Sequence, residues 1–293
     1  MINKVMYVLN DFVRNIRVNV ENVLFTDKIN NESKLCMEDK VVCGPYSMIR
    51  NYVDVSNIIL ENIKNKTESY VYKIKSKSKS QKIVVFDVGA NIGIYSLGFS
   101  KINNVTVYSF EPFVESYQFL SKNISFNNVK NIKAFNFGLT DKKQKLTMGS
   151  PLRKSKIFDW WNNSDAVESG CKTIYHDNKN KSIECDFIKG DDVLKEVDVD
   201  SIDYIKIDTE GSEFLVLKGI NEMLSKYSPI LQLEINMKVL ENNGIILKDM
   251  IEYLIKYNYK SYILFGEDAE HSKDIKELLS KVLIGSKDYV FFK

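Results

Sequence analysis

Ile83-Val84-Val85-Phe86-Asp87-Val88-Gly89-Ala90-Asn91-Ile92-Gly93 is an apolar run that ends in a carboxylate and a turn with two glycines. Before Asp87 its β-branched and aromatic residues show no polar alternation, which predicts a strand covered on both faces of a parallel sheet. Outward from it the rhythm of strand, turn and helix repeats. Strands are expected at 105–110, 132–137, 204–207 and 230–233, with two more at 262–265 and 289–292. Helical periods fall at 114–126, 213–227 and 247–257, and a short helix is expected at 274–282. Such alternation builds right-handed βαβ units. The fold class is therefore α/β, a doubly wound, seven-stranded, mostly parallel sheet.

Residues 1–66 have a different texture. Val5, Leu9, Phe12 and Ile16 recur at helical spacing, as do Ile58, Ile59 and Ile63, with a break at Gly44-Pro45. They read as an N-terminal helical appendage whose apolar stripe must be covered, by the main domain, by substrate or by a second copy in a homodimer. Tyr70-Val71-Tyr72 reads as a short strand and 75–80 as a solvated loop. The main domain takes 67–293. Between Asp141 and Asp203 no clean crossover helix appears; Leu146-Thr147-Met148 and Ser182-Ile183-Glu184-Cys185 read as a hairpin. Its tip, about 149–180, holds Trp160, Trp161, Tyr175 and His176 and is expected to bind the acceptor.

Composition excludes several classes. Lys plus Arg is 41 against 39 for Asp plus Glu, a net charge of +2, without the basic surplus of a nucleic-acid binder. The four cysteines form no CxxC pair, and two histidines are too few for an ordinary zinc set. No apolar run reaches signal-peptide or transmembrane length, so a cytoplasmic protein without membrane insertion is expected. The wealth of Lys, Asn and Ile points to an AT-rich bacterial genome.

In doubly wound sheets ligands sit beyond the carboxyl ends of the strands, so the residues that finish each strand are the candidates. After the first come Asp87, Gly89, Asn91 and Gly93, where glycine permits a tight turn and the next helix offers free N–H groups. A dinucleotide fingerprint would place glycine where Asp87 and Ile92 stand. An acid there repels a pyrophosphate but suits a ligand with an ammonium and a sulfonium. Glu111, about 20 residues beyond the turn, is placed to accept both hydroxyls of a ribose. After the fourth strand Asp208 and Glu210 stand at the sheet edge, while Glu213 reads as a first-turn helix acid matched to the macrodipole. Glu234 and Asn236 finish the fifth.

Taken in order, V-V-F-D-V-G-A-N-I-G, F-E-P, D-Y-I-K-I-D-T-E-G-S-E-F-L-V-L-K-G and P-I-L-Q-L-E-I resemble the FkbM family of class I S-adenosylmethionine-dependent methyltransferases. The resemblance covers residues 83–265 and implies a Rossmann-like fold with S-adenosyl-L-methionine as cofactor and S-adenosyl-L-homocysteine as product. It implies Gly89 and Gly93 around the methionine part and Asp87 at its ammonium, directly or through water. It further implies Glu111 at the ribose, Asn136 or Gly138 near the adenine with Asp141 behind them, and Asp208 facing both cofactor and acceptor. The family's acceptors imply O-methylation of a sugar, glycan or natural-product precursor.

An alcohol acceptor needs a base nearby. Glu210 or Asp208 is the expected base, then Glu234, with His176 as a competitor. No metal is assigned; Mg²⁺ on Asp208, Glu234 and Asn236 is the variant to test. Two other functions compete: an N-methyltransferase acting on an amino sugar or a glycan-attached amino acid, and an inactive binding or scaffold protein acting through residues 1–66.

Overall fold

The computed structural model describes residues 25–27, 32–37, 40–45, 57–75, 81–149, 173–175, 182–281, 283 and 285–293. At its centre lie β4 (Ile83–Val88), β5 (Val105–Phe110), β6 (Ile132–Phe135), β10 (Tyr204–Ile207) and β11 (Ile230–Asn236), all parallel. Next to β11, β14 (Ser286–Phe292) runs antiparallel, followed by β12 (Ser261–Leu264) and the two-residue β13 (Lys273–Asp274). The strand order is β13-β12-β14-β11-β10-β4-β5-β6. Order reverses between β4 and β10, and there the carboxyl ends open a crevice. Every residue of β4 is buried: Val84, Phe86 and Val88 point into one core, Ile83 and Val85 into the other. That is why the strand carries no polar alternation until Asp87.

The helices follow their periodicity. They are α1 (Asn57–Ile74), α2 (Ile94–Ser100), α3 (Val114–Phe126), α4 (Glu213–Gly219), α5 (Asn221–Lys226), α6 (Met237–Asn242) and α7 (Leu247–Lys256). The span expected as one helix over 213–227 is two, broken at Ile220. Gly219 presses so close to the Thr140 carbonyl that a Cβ would stand 1.9 Å from its oxygen, and the chain bends there. Among the described residues no helix is long and apolar enough to cross a membrane.

Several expectations are corrected. The appendage is not all helical: β1 (Phe25–Asp27), β2 (Glu32–Met37) and β3 (Lys40–Pro45) form an antiparallel sheet. The helical spacing lay only in the flanking stretches, of which 5–16 falls outside the described residues. A boundary at 66/67 would cut α1 in two. Tyr70-Val71-Tyr72 belongs to that helix, not to a strand, because Leu60, Ile63, Thr67, Tyr70 and Val71 make one continuous buried stripe. The stripe packs on the main domain, with Ile63 against Gly98 of α2. The central sheet has eight strands rather than seven, since β13 stands where the start of a helix was expected, and 275–279 is a 3₁₀ turn.

The expected hairpin is present as β8 (Gln144–Met148) and β9 (Ile183–Lys189). It forms a second small sheet with β7 (Gly138–Thr140). The third central strand consequently ends at Phe135, two residues short of its expected end.

Candidate active site

A cavity of about 350 Å³ opens at the carboxyl ends of β4, β5, β10 and β11. Gly89 has φ +81, and a Cβ on it would stand 1.9 Å from the Asp208 carbonyl oxygen. Only glycine lets the turn after β4 lie directly on the backbone after β10. Gly89 and Asn91 line the cavity. Gly93, at φ +93, stands behind them and starts α2 against Leu120. Asn91 takes a left-handed φ of 52 although it has a Cβ.

Glu111 leaves the end of β5 with its side chain turned back to this turn. Its Oε2 accepts the Asn91 N–H at 2.8 Å and its Oε1 the Phe113 N–H at 2.8 Å. Each oxygen keeps a second acceptor position, and the carboxylate lines the cavity. Burial pushes its pKa up to about 7, against the pull of those two amides.

Asp87 does not line the cavity; it lies fully buried beneath it. Its Oδ2 accepts the Ser96 hydroxyl at 2.6 Å, and Ser109 in turn donates to Ser96 at 2.7 Å. Burial raises the Asp87 pKa, opposed by Lys206 and Ser96. Its Oδ1 has no hydrogen-bond partner among the described residues.

The acidic wall opposite is more elaborate than expected. Asp208, Glu210 and Glu234 all line the cavity and bring carboxylate oxygens within 4.8 Å of one another. Glu210 sits at a left-handed φ of 52, and its carbonyl accepts the Thr173 hydroxyl at 2.9 Å. Glu234 accepts the Ser286 hydroxyl at 2.5 Å, and burial with the charges of Asp208 and Glu210 pushes its pKa up to about 9. Glu213 does more than match a dipole. Its buried Oε1 accepts the N–H groups of Thr209 and Gly211, bracing the loop that presents Glu210, and burial pushes it up to about 7.

Lys206 escaped the sequence reading. Its buried Nζ lies 2.9 Å from Asp208 Oδ2 and 4.3 Å from the Tyr95 ring centroid. Burial works against its charge, yet Asp208 and Asp87 outweigh that and raise its pKa. In register, Lys206 lies between Asp87 on β4 and Gln232 on β11, and Asp87 pairs with Ser109 on β5. Four buried polar residues thus cross four strands in one row. Part of the signal was there: Asp87 and Lys206 are each the one charged residue in an otherwise uncharged strand.

The other expectations divide. Gly138 lines the cavity, with Met148, Ile174 and Phe187 of the hairpin region beside it. Asn136 does not; its amide donates to the Glu111 and Pro112 carbonyls at 2.9 and 3.2 Å and shapes the bend below. Asp141 lies outside the lining residues. Asn236 does not line the cavity; its side chain caps α6 by accepting the Val239 N–H at 3.3 Å. Trp160, Trp161 and His176 lie outside the described residues.

The Gly89 turn, Glu111 and the wall of Asp208, Glu210 and Glu234 follow one another along the chain at the carboxyl edge of this sheet. The methyltransferase FkbM domain family matches residues 87–261. The chain belongs to that family. Methyltransferase sdnD of Sordaria araneosa is 29% identical over 161 residues, covering 47% of this chain and 60% of that protein. Methyltransferase 1 of Beauveria bassiana (strain ARSEF 2860) is 25% identical over 145 residues, covering 47% of this chain and 58% of that protein. The matches span about three-fifths of the length of both relatives. The crystal structure of a methyltransferase FkbM from Methylobacillus flagellatus KT has 15% identity and a TM-score of 0.43, covering 84% of this chain and 53% of that one. The FkbM domain match spans the Gly89 turn, Glu111 and all three wall carboxylates.

Proposed function

We propose that this chain is an S-adenosylmethionine-dependent methyltransferase acting on a hydroxyl of a sugar, glycan or natural-product precursor. The observation that carries the proposal is Glu111, pinned by two backbone amides beside the Gly89 turn and facing three carboxylates across one cavity. The residues present fit the cofactor. The Gly89 turn is a cradle that a Cβ would fill, the orphaned Asp87 Oδ1 suits a contact to an ammonium through water, and Glu111 has acceptor positions for two hydroxyls. S-adenosylmethionine supplies an electrophilic methyl carbon on a positively charged sulfur.

The chain's own part is to hold the reactants in line and take a proton from the acceptor. Asp208 is committed to Lys206, and Glu234, at about 9, holds its proton at neutral pH. Glu210 is therefore the proposed base, on the loop that Glu213 braces. Asp208 and Glu234 shape the field around it. An amine acceptor is the second reading, favoured by the carboxylate wall itself, which attracts an ammonium.

Calorimetry with S-adenosylhomocysteine tests the cofactor, and no measurable binding would overturn the proposal. Incubation with methyl-labelled cofactor and glycan or nucleotide-sugar fractions tests the acceptor. A product one methyl group heavier, labelled on oxygen, is expected; labelling on nitrogen selects the second reading.

A further inference from the structure

We infer that Lys206 is a positioning residue that holds Asp208 in place for the ligand of this cavity. The inference rests on the proposed use of the cavity by S-adenosylmethionine. Lys206 is the one cationic side chain on the cavity wall among the described residues. Its side chain is only 3% exposed against 31% for Asp208, so the ammonium is the fixed partner and the carboxylate the one that reaches ligand.

The ammonium is held from behind. The Tyr95 ring lies over it at 4.3 Å, and the Tyr95 hydroxyl donates to Asp288 Oδ2 at 2.9 Å. Gln232 Nε2 donates to the same oxygen at 2.8 Å, and the Tyr204 hydroxyl donates to Gln232 Oε1 at 2.8 Å. This chain runs from the sheet interior to the antiparallel strand β14, and it fixes the ring that fixes the ammonium. The backbone carbonyl of Asp208 in turn lies against Gly89, which fixes the main chain at this residue. From that fixed main chain the carboxylate reaches the cavity, and the 2.9 Å contact of Lys206 Nζ to Oδ2 sets its orientation. Without Lys206, Asp208 and the buried Asp87 stand near each other uncompensated.

The test is a double-mutant cycle on affinity for S-adenosylhomocysteine, read by calorimetry, with melting temperature as a control for folding. Lys206→Met is expected to weaken binding about 30-fold or more, as for a truncated buried ion pair. In the Asp208→Asn background the same change should cost less than about threefold, because the group it positions is gone. Equal losses in both backgrounds overturn the inference, since a merely structural lysine acts on both alike. Should Lys206→Met fail to fold, Tyr95→Leu removes the ring and keeps the ion pair. It is expected to weaken binding about threefold in the native background and not with Asp208→Asn; equal losses again overturn the inference. If the native protein binds no S-adenosylhomocysteine, the cavity reading itself fails and takes this inference with it.

Discussion

Glu111 Oε2 accepts the backbone N–H of Asn91 at 2.8 Å and so ties the end of β5 to the turn after β4. The two halves of the proposed cofactor site are thereby one hydrogen-bonded unit. Asn91 supplies the left-handed bend that aims its amide at the carboxylate.

Glu111→Gln removes one of the two acceptor oxygens and turns an NH₂ group toward either the Asn91 or the Phe113 amide, donor against donor. Hydrogen bonds to a charged group are worth about 1.5–3 kcal/mol. Binding of S-adenosylhomocysteine should weaken about 10- to 100-fold by calorimetry. An affinity within a factor of two of the native value would remove Glu111 from the site.

Glu210→Gln keeps the side chain's shape and takes away its capacity to accept a proton. Turnover should fall about 100-fold or more, within the range for lost acid–base catalysis, while cofactor affinity changes less than about threefold. Glu234→Gln imitates a group already protonated below about pH 9, so its turnover at pH 7 should stay within about fivefold of native. The reverse ranking would move the base to Glu234.

Three carboxylates titrate in the folded protein far above their ordinary 4.5: Glu111 and Glu213 at about 7 and Glu234 at about 9, each raised chiefly by burial. The folded state then binds more protons than the unfolded one between pH 4.5 and 9, so stability falls as pH rises through that window. The unliganded protein should melt about 5 °C or more higher at pH 5.5 than at pH 8.5. In the proposed site Glu111 would accept the cofactor's hydroxyls best when ionised, so ligand binding should have the opposite slope, with affinity rising as pH passes through 7. Melting curves flat with pH would contradict the burial of these acids.

Gly89→Ala places a Cβ against the Asp208 carbonyl at a φ of +81. Strain and overlap together should cost about 3 kcal/mol or more and abolish cofactor binding, as read by thermal melting and calorimetry.

Chelation should leave methyl transfer unchanged. Asp208, Glu210 and Glu234 offer a trio of oxygens, but Lys206 already neutralises one member and burial keeps another protonated at pH 7. Activity lost to EDTA and restored by Mg²⁺ would reverse this assignment.

Much of the cavity's lining was legible because the carboxyl edge of a parallel sheet has few physical solutions. An apolar strand that stops at Asp87 and Gly89 must place that turn at the sheet edge, and the same holds for Glu111, Asp208 and Glu234. Strand count and the N-terminal region were less legible. β13 is two residues long, too short for any period, and β1 to β3 lie between stretches whose helical spacing dominated the pattern. Tyr70-Val71-Tyr72 has the composition of a strand, and its helical state follows from the buried stripe that begins at Leu60.

By itself the sequence determined which side chains stand at the ends of the parallel strands, because alternation and turn chemistry are local properties of the chain. Tertiary structure alone decided what each of them does there. It sank Asp87 below the cavity onto Ser96, gave Asp208 to Lys206, and raised Glu234 beside its acidic neighbours. Those outcomes depend on register between strands far apart in the chain and on the burial that register creates, and neither is a property of any single stretch.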